Sequence, residues 1–120
     1  MKKILVVDDD VVMIKLFQVQ MKRAGFQGFY FQESEQALGQ ADQIGPDLAV
    51  LDYNMPGMNG AELLQALREK LANPKLPVIF VTGEIDTSIL AQIEGINNAR
   101  LLAKPFSPRR VITLIEECLA

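Results

Sequence analysis

Five short apolar runs recur along this chain, each followed by polar residues and then by a helical pattern of its own. The runs are Ile4 to Val7, Phe29 to Phe31, Leu48 to Leu51, Val78 to Val81 and Leu101 to Ala103. Unbroken apolar character over strand length is what a strand buried on both faces requires. The segments between them carry apolar residues at three- and four-residue spacing, the signature of a helix with one buried side. Ile14, Phe17, Met21 and Ala24 mark the first such helix, which Gly25 ends. Ala37, Leu38 and Ala41 mark the second, with Ser34 as its expected cap and a stop before Gly45-Pro46. Leu63, Leu64, Leu67 and Leu71 form the third stripe, and Ile89, Leu90 and Ile93 the fourth, ending at Gly95. Ser107 and Pro108 open a fifth, built on Val111, Leu114, Ile115 and Cys118.

Parallel strands joined by single helices need right-handed crossovers, so the pattern predicts a doubly wound α/β domain of five parallel strands and five helices. The 120 residues suffice for one such domain, and 49% hydrophobic content supplies its core. No apolar run is long enough to span a bilayer. Met1-Lys2-Lys3 and the short run after it lead straight into three aspartates, which no signal peptide does. The single cysteine, Cys118, has no partner for an internal disulfide and falls on the apolar side of its helix, where packing is its expected role. A cytoplasmic location is the corresponding expectation.

Charge and composition exclude several chemistries. The net charge is −3 and no basic run exceeds two residues, which argues against nucleic acid binding by this domain. The chain contains no histidine, so serine–histidine and cysteine–histidine catalysis, histidine metal sites and phosphohistidine donation all fall away. Any metal must be held by oxygen. The turn after the first strand holds Asp8, Asp9 and Asp10 in place of glycines and hydroxyls, and no phosphate-cradling glycine motif occurs anywhere, so dinucleotide and P-loop readings fail.

In sheets of this kind, sites form at the carboxyl ends of the strands. Asp8, Asp9 and Asp10 follow the first strand, Asp52 and then Asn54 the third, Thr82 the fourth, and Lys104-Pro105 the fifth. The topology therefore gathers carboxylates, a hydroxyl and an ammonium on one edge. Crowded carboxylates raise one another's pKa unless a cation compensates. Lys104 is one candidate, and a hard divalent ion is the other; Mg²⁺ suits a few carboxylates, a carbonyl and waters, with Mn²⁺ as a substitute. A carboxylate beside such a metal can attack a phosphoryl group in line, while lysine and threonine hold the remaining oxygens. Asp10, at the start of the first helix, is read as its cap. Met55 and Met58 are read as loop packing and Arg109-Arg110 as solvated helix surface.

The stretches Ile4 to Asp10, Pro46 to Gly60, Val81 to Glu84 and Lys104-Pro105-Phe106 together resemble the receiver domains of bacterial two-component response regulators, of the chemotaxis-regulator kind. The resemblance runs through the whole chain in order, so residues 1–120 are expected to form one receiver domain with the flavodoxin-like strand order 2-1-3-4-5. It implies a signalling switch, with no turnover of external substrates. Asp52 would accept a phosphoryl group from a histidine kinase or phosphotransfer protein. Asp9, Asp52 and the Asn54 backbone carbonyl would bind Mg²⁺ directly, with Asp8 helping through water. Thr82 and Lys104 would contact the phosphoryl group, and the Lys104–Pro105 bond would be cis. Asn54 and Glu84 stand where the family tunes hydrolysis of the acyl phosphate. Downstream partners would dock on the face formed by the fourth helix, fifth strand and fifth helix. The chain departs from the family at Leu101, where many members place an aromatic residue coupled to the threonine, and the segment Asn97 to Arg100 is more polar than usual. With no output domain in this chain, its effect would run through protein contacts, with no membrane or nucleic acid involved.

Two other readings share the architecture. A phosphorylation-independent binding module would be expected to have lost the acceptor, an acid or the lysine, and all are present. A haloacid-dehalogenase-type phosphohydrolase looks for a second acid two residues after its nucleophile, where this chain has Asn54.

Overall fold

The computed structural model describes residues 1–120. Strands β1 (Lys3–Val7), β2 (Gln27–Phe31), β3 (Leu48–Asp52), β4 (Val78–Thr82) and β5 (Ala99–Ala103) alternate with helices α1 (Val11–Ala24), α2 (Ser34–Ile44), α3 (Gly60–Lys70), α4 (Thr87–Glu94) and α5 (Pro108–Leu119). All strand pairs are parallel, in the order β2-β1-β3-β4-β5. This is the flavodoxin-like doubly wound fold expected from the sequence. None of the helices is long and apolar enough to cross a membrane.

Side chains alternate across a strand, so each central strand feeds two cores. Leu5, Val7, Ala49, Leu51, Val78 and Phe80 join the core under α2, α3 and α4. Ile4, Val6, Leu48, Val50, Ile79 and Val81 join the other, with Phe17 and Met21 of α1 and Val111, Leu114 and Ile115 of α5. Burial on both faces explains why β3 and β4 are apolar at nearly every position.

The edge strands are longer than their apolar runs. β2 starts at Gln27 rather than Phe29, and β5 at Ala99 rather than Leu101. Their first residues are polar or small because a sheet edge leaves them partly solvated. Asp52 and Thr82 are the last residues of their strands rather than the first beyond them.

Helix ends follow local chemistry. Asp10 caps α1 by accepting from the Val12 N–H at 2.9 Å, and Gly25 closes the helix at φ 80, a conformation that costs glycine little. Asn59 and Glu62 form a reciprocal capping box on α3. Ser107 caps α5, with Pro108 in its first turn. Helix α2 differs from expectation. Ser34 is its first residue, and Glu33 occupies the cap position without a side-chain bond. Cys118 is half-buried at the margin of the α1/α5 core, where burial pushes its thiol pKa up.

Candidate functional site

Strand order reverses between β1 and β3, which lie side by side with β2 beyond β1. The crevice above that point is where this fold places ligands. Asp8 and Asp9 leave β1 there, and Asp52 ends β3. Carboxylate oxygens of Asp8, Asp9 and Asp52 all lie within 4.8 Å of one another. Asp8 and Asp52 are buried, at 1% and 6% exposure, whereas Asp9 is open to solvent. Each buried acid is oriented by backbone: the Asp10 N–H donates to Asp8 Oδ1 at 2.9 Å, and the Asn54 N–H to Asp52 Oδ1 at 3.3 Å.

Lys104 reaches the same point from β5. Its ammonium lies 3.3 Å from Asp8 Oδ2 and 3.7 Å from Asp52 Oδ2. Its own N–H donates to the Thr82 carbonyl at 2.8 Å, continuing the β4–β5 ladder and fixing where the side chain starts. The Lys104–Pro105 bond is cis, and Phe106 beyond it stacks on Phe17 of α1 at 5.9 Å.

One ammonium does not neutralise three carboxylates. Burial, followed by the Asp8 charge, pushes the Asp52 pKa up to about 7, against the opposing pull of Lys104. Burial also raises Asp8, despite its bond from Asp10 and the nearby lysine. An all-oxygen cluster with surplus negative charge fits a hard divalent cation, which would restore both acids to their charged forms. The cluster is thus able to coordinate a metal ion.

Thr82 is fully buried beside this group. Its hydroxyl donates to the Glu84 carbonyl at 2.8 Å and accepts from the Glu84 N–H at 3.2 Å and the Asn54 side-chain amide at 3.3 Å. A hydroxyl has one hydrogen and two lone pairs, so all of its capacity is committed. Asn54 and Glu84, singled out at separate places in the sequence, meet on this one oxygen. Periodicity gave no hint of that convergence. Leu101 is half-buried and packs against the α2/α3/α4 core.

Two further features were not read from the sequence. A groove of about 780 Å³ opens beside Asp9, bounded by Glu33, Glu35, Met55, Met58 and Glu62. Both methionines also pack on the core, as loop-packing residues should. Gly60 sits where α3 meets the acceptor strand: a Cβ there would lie 2.8 Å from the Asp52 carbonyl oxygen and 2.9 Å from Tyr53 Cα. The glycine of the Asn59-Gly60 pair was legible as a turn former, but its closeness to Asp52 was not.

A parallel α/β sheet with an acidic cluster able to hold a cation at its switch point, an ammonium paired with two of its carboxylates and a hydroxyl alongside defines a class of phosphoryl-accepting domains. The response regulator receiver domain family matches residues 4–116, and the chain belongs to that family. Receiver domains are signalling modules phosphorylated within an aspartate cluster, not turnover enzymes. The chain is 36% identical over 119 residues to the Bacillus subtilis alkaline phosphatase synthesis transcriptional regulatory protein PhoP, covering 98% of this chain and 48% of that protein. It is 30% identical over 127 residues to hybrid signal transduction histidine kinase C of Dictyostelium discoideum, covering 98% of this chain and 10% of the kinase. The chain therefore spans about half the length, or less, of these relatives. Among solved structures, Vibrio cholerae chemotaxis protein CheY4 superposes with a TM-score of 0.92 at 25% identity, over 99% of both chains.

Proposed function

We propose that residues 1–120 form one receiver domain that accepts a phosphoryl group on Asp52 from a histidine kinase or phosphotransfer protein. The observation that carries this reading is the meeting of Asp8, Asp9 and Asp52 within 4.8 Å, with the Lys104 ammonium 3.3 Å from Asp8 and 3.7 Å from Asp52. Mg²⁺, or Mn²⁺ in its place, is the ion we assign to the cluster. Asp9, Asp52 and the Asn54 carbonyl would hold it directly, with Asp8 acting through water. Bound there, the ion neutralises charge on the transferred group.

The chain's own residues supply the remainder. An Asp52 oxygen, charged once the ion is held, would attack phosphorus as the bond from phosphorus to the donor's histidine nitrogen breaks, and the donor's imidazole would leave with that electron pair. Lys104 moves from pairing two acids to holding a phosphoryl oxygen, a charge-assisted contact that strengthens as negative charge develops. Thr82 can donate to a second oxygen only by giving up the Glu84 carbonyl, because its hydroxyl has a single hydrogen. Phosphorylation thus competes with a bond that holds the β4–α4 turn. Releasing that turn shifts a two-state equilibrium at the surface of α4, β5 and α5, which we assign as the downstream partner face. Leu101 cannot act as an aromatic rotamer switch, so the turn itself carries the signal. The donor protein would approach over α1, which exposes Val11, Val12, Leu16 and Val19 just beyond the acid pair.

Incubation with acetyl phosphate tests the proposal. Wild type is expected to gain one phosphoryl group with Mg²⁺ and none with a chelator, and Asp52→Asn to gain none in either condition. A wild type left unmodified in Mg²⁺ contradicts the assignment. A beryllofluoride-dependent pull-down then identifies the partner.

A further inference from the structure

Helix α4 is held very differently at its two ends. Before it, residues 83–86 are exposed, as are Thr87 and Ser88 of its first turn. Asp86 caps the helix by accepting from the Ile89 N–H at 2.9 Å, a bond within the helix end itself, and the tie from this segment to the sheet is the Thr82–Glu84 pair described above. Along its length Ile89 and Ile93 are its buried residues. After it, the turn to β5 is bound to α3 and to the α3–β4 loop. Arg68, in the last turn of α3, donates from Nη1 to Asn97 Oδ1 at 2.6 Å and from Nη2 to the Asn97 carbonyl at 2.7 Å. The same Nη2 donates to the Leu76 carbonyl at 2.7 Å. Asn98, at φ 54, donates from its side chain to the Lys75 carbonyl at 3.0 Å, and its own carbonyl accepts from the Val78 N–H at 3.0 Å. Arg68 is half-buried and its Nε has no partner, so the guanidinium gives up solvation to make these contacts. Its planar fork spans a side chain and two carbonyls together, which a lysine ammonium on a flexible stem does not reproduce.

We propose that Arg68 is a positioning residue that fixes the C-terminal end of α4 as a pivot, so that release of the Thr82–Glu84 tie swings the N-terminal half of the helix. The inference rests on the phosphoacceptor reading for its trigger and adds where the motion stops. It gives the polar segment Asn97 to Arg100 a role: Asn97 and Asn98 are the acceptors and donors of the pivot. It also gives a route to the partner face that needs no aromatic residue at Leu101. Segments with little burial open before tightly bonded ones, so the two ends of α4 should respond unequally.

Hydrogen exchange of the full chain, with and without beryllofluoride and Mg²⁺, tests this, with ¹⁹F NMR reporting uptake of the fluoride complex independently. In wild type the exchange change is expected to fall within residues 83–90 and leave 95–98 and Val78 unchanged. In Arg68→Met, exchange at the bonded amides of Ile96 and Val78 is expected to rise roughly tenfold before any activation, the size that follows from losing a charged hydrogen bond. On activation the change should then spread through 93–98. Arg68→Lys and Asn97→Ala, which leave the helix charge or the arginine in place, should show the same spread to a smaller degree and decide the matter if the methionine variant folds poorly. A wild type that changes equally at both ends, or variants that keep the confined pattern, overturns the pivot while leaving the acceptor reading intact. No ¹⁹F signal for a bound complex in wild type overturns the acceptor reading and the trigger with it.

Discussion

Lys104 serves two carboxylates at once, with its ammonium 3.3 Å from Asp8 and 3.7 Å from Asp52. The shorter distance is to Asp8, not to the proposed acceptor. In the resting domain the lysine therefore compensates the more deeply buried acid, and transfer chemistry must draw it toward Asp52. Lys104→Met should lower metal-free stability at pH 8 by on the order of 1–3 kcal/mol, less than for a fully buried pair because the lysine is partly solvated. Its phosphorylation by acetyl phosphate should slow by roughly 10²-fold, as for other lost charge-stabilising donors. Mg²⁺ affinity, measured by calorimetry, should not fall, since no ligand oxygen is removed.

The acid cluster sets an unusual pH dependence. The folded-state pKa of Asp52, about 7, lies above its ordinary value of 3.8. The native state therefore binds more protons than the unfolded state between those limits, and stability falls as pH rises through that window. Asp8 shifts in the same direction and adds to the effect. In a chelator, the melting temperature should fall from pH 5 to pH 8. With Mg²⁺ the fall should be reduced or reversed, because the ion binds only the charged form. Equal shifts by Mg²⁺ at both pH values would contradict this.

Removing the charge should have the same sign as protonating it. Asp52→Asn is expected to stabilise the metal-free protein at pH 8 by about 1–2 kcal/mol, or roughly 4–8 °C in melting temperature. The variant should bind Mg²⁺ more weakly and should not be phosphorylated. Thermal melts in chelator at pH 8 provide the check.

Gly60 is the contact through which α3 touches the acceptor strand. In Gly60→Ala the new methyl would press on the Asp52 carbonyl and Tyr53 Cα, both backbone atoms that cannot turn aside. A destabilisation of about 1–3 kcal/mol is expected from overpacking. The displaced backbone is that of Asp52 and its neighbours, so Mg²⁺ affinity should also drop, which calorimetry on the folded variant would show.

How much of this was legible beforehand depended on the physics of each residue. β3 and β4 could be read almost to the residue, because burial on both faces leaves Leu48 to Leu51 and Val78 to Val81 uninterrupted. The starts of β2 and β5 were not, because Gln27 and Arg100 sit at edges where polarity carries no penalty. Asp8, Asp9, Asp52, Thr82 and Lys104 could be proposed together because each lies at the end of a strand and parallel topology brings those ends to one side. What periodicity does not encode is side-chain direction. The bond from Asn54 to Thr82 and the reach of Arg68 to Asn97 join residues far apart in the chain, and the closeness of Gly60 to Asp52 depends on how the loop between them folds back; only the packed structure reveals them.

A crystal structure of the domain grown with Mg²⁺ and beryllofluoride would probe the phosphoacceptor assignment most directly. The account predicts a fluoroberyllate bonded to an Asp52 oxygen and a metal ion on Asp9 and Asp52, with Thr82 turned from Glu84 and the Lys104 ammonium turned toward a fluorine. A structure with Asp52 bare while the ion or the fluoride complex binds elsewhere, for example in the groove beside Glu33 and Glu62, would contradict it.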